Sequence, residues 1–218
     1  MNNFITPLLL LLILLVSPFA ISQNEKFPWQ VTLGTTAIDI YPVGSHTSYQ
    51  GDNLEDFFNV SEHWNILPTL SALSVSKNIN NNFSVAFEGS FNSISKWGSK
   101  QTDDLLYLNL SSYLKYDLSS LLKLQNTAFE PFFGLGAGYT WIEIGPFNTS
   151  SNSEKEYNGN ISANGNVGFS YWFNESLGLT LQTTYNHVFA DYTDNAPQHY
   201  RHLMGLTFRF GNSVETNE

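Results

Sequence analysis

Two histidines and a few isolated charges are the residues here whose types suit them to chemistry. His187 and His202 stand in two alternating apolar segments toward the C-terminus, where they are expected on the lipid-facing side near the outer rim, close to opposite each other. An imidazole titrates near neutral pH, so it can serve as a general base or a metal ligand. Base catalysis at an acyl group also needs a nucleophile and an orienting carboxylate within hydrogen-bond reach. No serine accompanies the pair on its strand face. The nearest acid is Asp39, provided its own strand keeps one phase. A two-histidine metal site lacks further ligands, and no Asp-x-Asp-x-Asp-Gly calcium loop is present. No catalytic residue, metal ligand or cofactor is therefore assigned. The second set is Asp39, Glu88, Glu130, Arg201 and Arg209, with Lys115 a further candidate. A charge in an enclosed interior must be paired, or its desolvation is uncompensated.

The segments that position these residues share a period of two. In Phe129 to Trp141, the odd positions read Phe, Pro, Phe, Leu, Ala, Tyr, Trp, and the even ones Glu, Phe, Gly, Gly, Gly, Thr. That is a strand with one greasy face and one small or polar face. The pattern returns in Phe83–Asn92, Leu105–Tyr116, Ile161–Phe173, Gly178–Phe189 and His199–Phe210, and more weakly in Ile66–Ile79. In the first strand, Trp29 to Tyr41, the apolar phase changes from Val31 and Leu33 to Ile38 and Ile40. A β-bulge near Gly34 explains the change and turns Asp39 inward. Eight strands of roughly ten residues result, each long enough to cross a bilayer when tilted.

Composition agrees with strands that meet lipid on one side. Charged residues make up 13% and aromatics 15%, yet mean hydropathy is −0.17. The net charge of −10 opposes nucleic-acid binding. Leu8 to Val16 is an unbroken apolar run, about half the roughly 20 residues of a spanning helix. With Ala20-Ile21-Ser22 behind it, it reads as a secretory signal peptide, residues 1–22; a short uncleaved anchor is the alternative. Residues 23–211 then form one domain and 212–218 a short polar tail.

The fold class expected is all-β: an eight-stranded antiparallel up-and-down transmembrane β-barrel, apolar outward and small or polar inward. Long polar connections follow strands one, three, five and seven, including Ser93–Asp104 and Glu143–Asn160. Asn78–Asn82 and Asn174–Ser176 are short turns, and 117–128 is either a hairpin extension or a short helical turn. Trp29, Phe129, Tyr139, Trp141, Tyr171, Phe173, Tyr185, Phe208 and Phe210 supply the interfacial aromatic girdles. Asp39 and Arg201 are expected to meet in the lumen near the outer end. Glu130 and Arg209 lie near the other end.

The runs NNNFSVAFEGSFNSISKWG, PFFGLGAGYTW, YWFNESLGLTLQTTYNHVF and HLMGLTFRFG resemble the OmpA-like outer-membrane β-barrel family of Gram-negative bacteria. The resemblance spans essentially the whole mature chain. Many relatives continue into a peptidoglycan-binding domain; a stand-alone barrel is expected here, so cell-wall anchoring is not carried over. The resemblance implies that Phe208-Arg209-Phe210 serves the barrel-insertion machinery, although a tail follows Phe210.

An eight-stranded interior is nearly filled by side chains, so an open pore is disfavoured. The expected function is a non-enzymatic envelope role: structural integrity, surface contact or limited small-solute passage. The competing class is an outer-leaflet lipid-modifying enzyme using His187 and His202, which otherwise belong to the aromatic belt with Tyr41, Tyr185 and Tyr200. A soluble periplasmic sandwich is the third class. Asp52, Glu55, Asp56, Glu154, Glu156, Asp191 and Asp194 are acidic loop residues that either face water or hold divalent cations against lipopolysaccharide. Phe57 and Phe58 either contact a partner or pack across the barrel mouth as a lid. The expected partners are outer-membrane lipid, lipopolysaccharide and the insertion machinery, with the protein monomeric.

Overall fold

The computed structural model describes residues 27–44, 50–80, 82–124, 127–144, 156–189 and 198–211. The expected signal peptide and polar tail, together with Glu154, Asp191 and Asp194, lie outside them. The chain runs β1 (Trp29–Asp39), α1 (Val60–His63), β2 (Trp64–Ile66), β3 (Ala72–Asn78), β4 (Phe83–Trp97), β5 (Lys100–Asp117), β6 (Phe129–Ile144), β7 (Glu156–Trp172), β8 (Leu177–Val188) and β9 (His199–Phe210). Each strand from β3 onward pairs antiparallel with the next, and β1 pairs with β9 to close the ring. Strands β2 and β3 take the upper and lower halves of the same edge of β1. They are two pieces of one stave, so the barrel has the eight staves expected.

Pro68 lies in the break between the two pieces. It has no N–H to donate and its φ is fixed, so the ladder is interrupted there. Side chains fill the gap. Asn65 donates its amide to the carbonyls of Ile38 (3.1 Å) and Lys96 (2.9 Å), and its oxygen accepts from the N–H groups of Ser95 (2.9 Å) and Lys96 (2.8 Å). Ser71 Oγ accepts from the Thr36 N–H at 2.9 Å, and Asn92 donates to the Thr36 carbonyl at 2.9 Å. Buried backbone groups demand partners, and this small set of polar side chains supplies them.

Lipid-facing rows include Phe87, Leu110, Leu135, Val167 and Leu206, all exposed on the outer surface. Opposing them are Ser90, Asn109, Asn164, Asn166 and Thr184, all buried inward. The glycine row of β6 serves close packing: a Cβ on Gly136 would stand 1.9 Å from the Ser112 carbonyl oxygen.

Three expectations are corrected. First, β1 carries no bulge. Its register with β9 runs unbroken from Trp29↔Phe210 to Asp39↔Tyr200. The phase never flips, so Ile38 points inward and Asp39 outward. The apolar Ile38 and Ile40 belong to an apolar layer inside the barrel mouth rather than to the lipid face.

Second, 93–104 is not a loop. Strands β4 and β5 continue to Trp97 and Lys100, joined across Gly98 and Ser99, with Gly98 at φ 62°. Likewise β6 and β7 stay paired to Ile144↔Glu156. Above the membrane the outward face of a strand meets water, so its apolar row stops and the alternation fades, although the hydrogen-bond ladder persists and Ile94, Trp97, Leu105 and Ile142 still pack inward. Within the connection 117–128, residues 118–124 form a compact helical turn, with Leu122 N–H donating to Leu118 O at 2.9 Å and Leu124 N–H to Ser119 O at 2.8 Å.

Third, Phe57 and Phe58 form no lid. Phe57 packs on Tyr200 and His202, at 5.1 and 5.3 Å between ring centroids. Both are outward residues of β9, so the segment lies against the outside of the barrel.

Candidate functional site

The lumen is stacked in layers. At its centre Arg201, 1% exposed, reaches from β9 across to β4 and β5. Its Nη2 stands 2.6 Å from Glu88 Oε1 and donates to Tyr113 Oη at 2.8 Å. Its Nη1 donates to Ser90 Oγ (2.8 Å) and Asn109 Oδ1 (2.7 Å). Gln182 donates to Glu88 Oε2 at 3.1 Å and accepts from Lys115 Nζ at 2.8 Å. A planar guanidinium with several donors suits such a buried, many-partnered role. These contacts tie opposite walls together and fill the cross-section.

Above this strut sits an apolar cap of Ile38, Ile40, Ile94, Trp97, Leu105, Tyr107 and Ile142, all buried. Tyr107 Oη bonds His199 Nε2 at 2.8 Å. Sequence reasoning missed the cap. Its signal is an apolar residue on the inward phase at the top of several strands, such as Leu105 and Tyr107 beside the outward Leu106 and Leu108.

Below the strut, toward the periplasm, lies a cavity of ≈ 280 Å³ lined by residues that include Gln30, Thr32, Ser74, Lys115, Glu130 and Arg209. A hydroxyl chain crosses four strands there: Ser170 to Thr180 (2.8 Å), Thr180 to Thr207 (2.5 Å) and Thr207 to Thr32 (2.8 Å). At the inner mouth Glu130 pairs with Arg209 and accepts from Trp172 Nε1 at 2.7 Å. The Arg209 guanidinium lies 3.3 Å above the Trp172 ring.

Asp39 joins none of this. On the outer wall its Oδ1 meets His63 Nδ1 at 2.8 Å and accepts from the Tyr41 N–H at 3.0 Å. The Tyr41 ring stacks on His63 at 4.6 Å. Burial, then the Glu55, Asp56 and Asp52 carboxylates, hold the Tyr41 hydroxyl above its ordinary pKa. The expected Asp39–Arg201 contact is therefore replaced by two separate pairs on opposite sides of the wall.

His187 and His202 are not opposite each other. His202 pairs in register with Thr183 and His187 with Ala163 on the other neighbour. His202 Nδ1 bonds Thr183 Oγ1 at 3.0 Å, and its ring is covered by Trp64, stacked at 3.9 Å. His187 rests against Phe189 at 5.0 Å. Among the described residues no three His, Cys, Asp or Glu side chains come together to hold a metal.

The aromatic residues fall at the two ends of the outer surface. Phe129 packs on Phe169 (4.8 Å) and Tyr171 on Phe173 (5.7 Å) at the inner end, where Phe208 and Phe210 are exposed and Lys77 lies over Trp29. Tyr139 packs on Trp141 (4.4 Å) and Tyr185 on Tyr200 (5.1 Å) at the outer end.

A closed ring of eight antiparallel staves, apolar outside and filled with polar side chains inside, defines an outer-membrane β-barrel. The chain belongs to the outer membrane protein beta-barrel domain family, which it matches over residues 6–210. Among solved structures it is similar in fold to OprG from Pseudomonas aeruginosa, with 14% identity, 88% of this chain and 99% of that chain covered, and a TM-score of 0.53. Neisserial surface protein A follows, with 12% identity, 85% and 98% coverage, and 0.52. Ail, the attachment invasion locus protein of Yersinia pestis, shows 12% identity, 85% and 100% coverage, and 0.51. No curated protein matches the sequence. The family and fold place the protein in the outer membrane.

Proposed function

We propose that this protein is a non-conducting, non-enzymatic barrel that contributes to envelope integrity and presents a wall of β-sheet for contact at the cell surface. The observation that carries the reading is the Arg201–Glu88 strut beneath the apolar cap. Two successive layers span the lumen, one of them held by an ion pair with several hydrogen bonds. Small-solute passage is the least supported of the envelope roles, because a solute would have to displace both. Surface contact draws support from strand lengths. Strands β4 to β7 have 15, 18, 16 and 17 residues, whereas about 9–11 cross a bilayer. Their excess runs roughly 15–25 Å along the strand at ~3.3 Å per residue, which a tilt of roughly 35–45° turns into about 12–20 Å of height above the membrane.

In this reading the protein is exported by its N-terminal segment into a Gram-negative envelope. The insertion machinery places it as a monomer among lipid and lipopolysaccharide. The net charge of −10 suits no nucleic-acid role. The lipid-modifying alternative draws little support, since Trp64 covers the His202 ring and His187 stands apart. Single-channel recording in planar bilayers tests the proposal. Silence across voltages is expected, and stepwise conductance would overturn it. Lipid A mass spectra with and without the protein are expected to be identical.

A further inference from the structure

The outer wall of β1 and β9 is not uniformly apolar. Thr35, Asp39 and His202 all point outward near its upper end, where lipid would leave them unsolvated. Residues Leu54 to His63 fold back over these groups, and Trp64 and Leu67, on the stave beside β1, complete the cover. Thr35 Oγ1 donates to the Leu67 carbonyl at 2.5 Å, Asp39 bonds His63 at 2.8 Å, and Trp64 stacks on His202 at 3.9 Å. The segment is itself tied down, since Trp64 Nε1 donates to the Phe57 carbonyl at 3.2 Å and Lys96 Nζ to the Ser61 carbonyl at 2.8 Å. Its polar anchors face the wall. Its exposed side chains are mixed: Phe58 (83%) and Leu54 (60%) are apolar, while Glu55, Asp56, Ser61 and Glu62 are polar.

The level of the segment decides what covers it. His202 lies about eight residues up β9 from Phe210. That is about 27 Å along a strand at ~3.4 Å per residue. A tilt of roughly 35–45° brings this to about 20 Å across the membrane, inside an apolar band about 25 Å tall. Phe57 sits on His202 and Tyr200, Phe58 packs edge-on to Phe57 at 5.1 Å, and Tyr200 adjoins Tyr185 in the outer girdle. On the other flank Ile66 continues into the lipid-facing Leu73 and Leu33. Through Phe57, Phe58 thus stands beside the outer girdle at the upper edge of the barrel's lipid-contacting band.

We infer that the 54–67 segment is a lateral lipid-binding clasp: it covers an outward polar patch of the barrel wall and presents Phe58 to outer-leaflet acyl chains. Of its acidic residues, Glu55 and Asp56 lie near Tyr41, just past the upper end of β1, and Glu62 is exposed. The chain contains no cysteine, so single spin labels at Phe58→Cys, Leu206→Cys and Asp103→Cys report one position each. Phe58 is mostly exposed, and replacing it leaves the clasp's anchors in place. In phosphatidylcholine vesicles, the label at 58 is expected to rank with 206, colliding with oxygen several-fold more than with an aqueous nickel chelate, relative to the label at 103. A label at 58 that ranks with 103 would overturn the inference, and so would one shielded from both probes, which marks a protein contact instead.

Discussion

Asp39 and Arg201 lie one step apart in register yet on opposite sides of the barrel wall. Arg201 is paired with Ile38, and Asp39 with Tyr200. A strand's side chains alternate, so that single step separates a lumenal strut from an outer-wall anchor. The two charges should therefore be energetically independent. In a double-mutant cycle, Asp39→Asn and Arg201→Met are expected to add within about 0.5 kcal/mol. Asp39→Asn with His63→Ala should instead show coupling, read from urea unfolding in lipid vesicles.

Breaking the strut should be costly. Glu88→Ala leaves the Arg201 guanidinium buried without its carboxylate, and removing one partner of such a pair costs about 3–5 kcal/mol. The double replacement Glu88→Leu/Arg201→Met should recover most of that loss. Loss of the heat-modifiable gel band at lower temperature measures both.

The strands from β4 onward were legible because lipid enforces alternation on one face, as in Phe83–Phe91 and Leu106–Leu114. What the sequence did not reveal lies where that rule lapses. Ile38 and Ile40 look like lipid-facing residues, since the amino acid that caps a mouth is the one that faces a bilayer. Glu88 and Arg201 were both readable as inward charges. Their pairing was not, because it crosses the lumen between strands far apart in the ring. The clasp gave no periodic signal at all, and the tops of β4 to β7 resembled loops because their outward faces meet water rather than lipid.

The two lumenal layers should block conduction redundantly. Ile94→Ser with Leu105→Ser opens the cap but leaves the strut, and planar-bilayer recordings are expected to stay silent. Adding Arg201→Ser is expected to produce measurable conductance. A channel from the cap variant alone would place the barrier in the cap.

Asn65 substitutes for missing backbone partners at the break in the second stave. Asn65→Ala leaves the Ile38 and Lys96 carbonyls and the Ser95 and Lys96 amides with one partner fewer. Each such loss costs roughly 1–3 kcal/mol where the group stays buried. Hydrogen exchange at Ser95 and Lys96 should accelerate by at least an order of magnitude, while the β8–β9 ladder keeps its protection.

Gly136 tests the close approach of β5 and β6. A Cβ there would strike the Ser112 carbonyl oxygen, and forcing such a contact costs about 1–3 kcal/mol. Gly136→Val should lower the refolded fraction in vesicles. Gly165→Val should be tolerated, because a Cβ at Gly165 meets only the end of Leu135 at 3.8 Å.

Unequal strand heights give the molecule a direction within the plane of the membrane. Strands β4 to β7 stand tall, while β1, β8 and β9, with 11, 12 and 12 residues, end near the lipid surface. A neighbour approaching on the surface meets a wall of sheet from one side. From the other it meets a low rim where Phe57, Phe58 and Trp64 are seated. The barrel thus has a front and a back, and two molecules drifting in the same membrane present different faces depending on how each is turned.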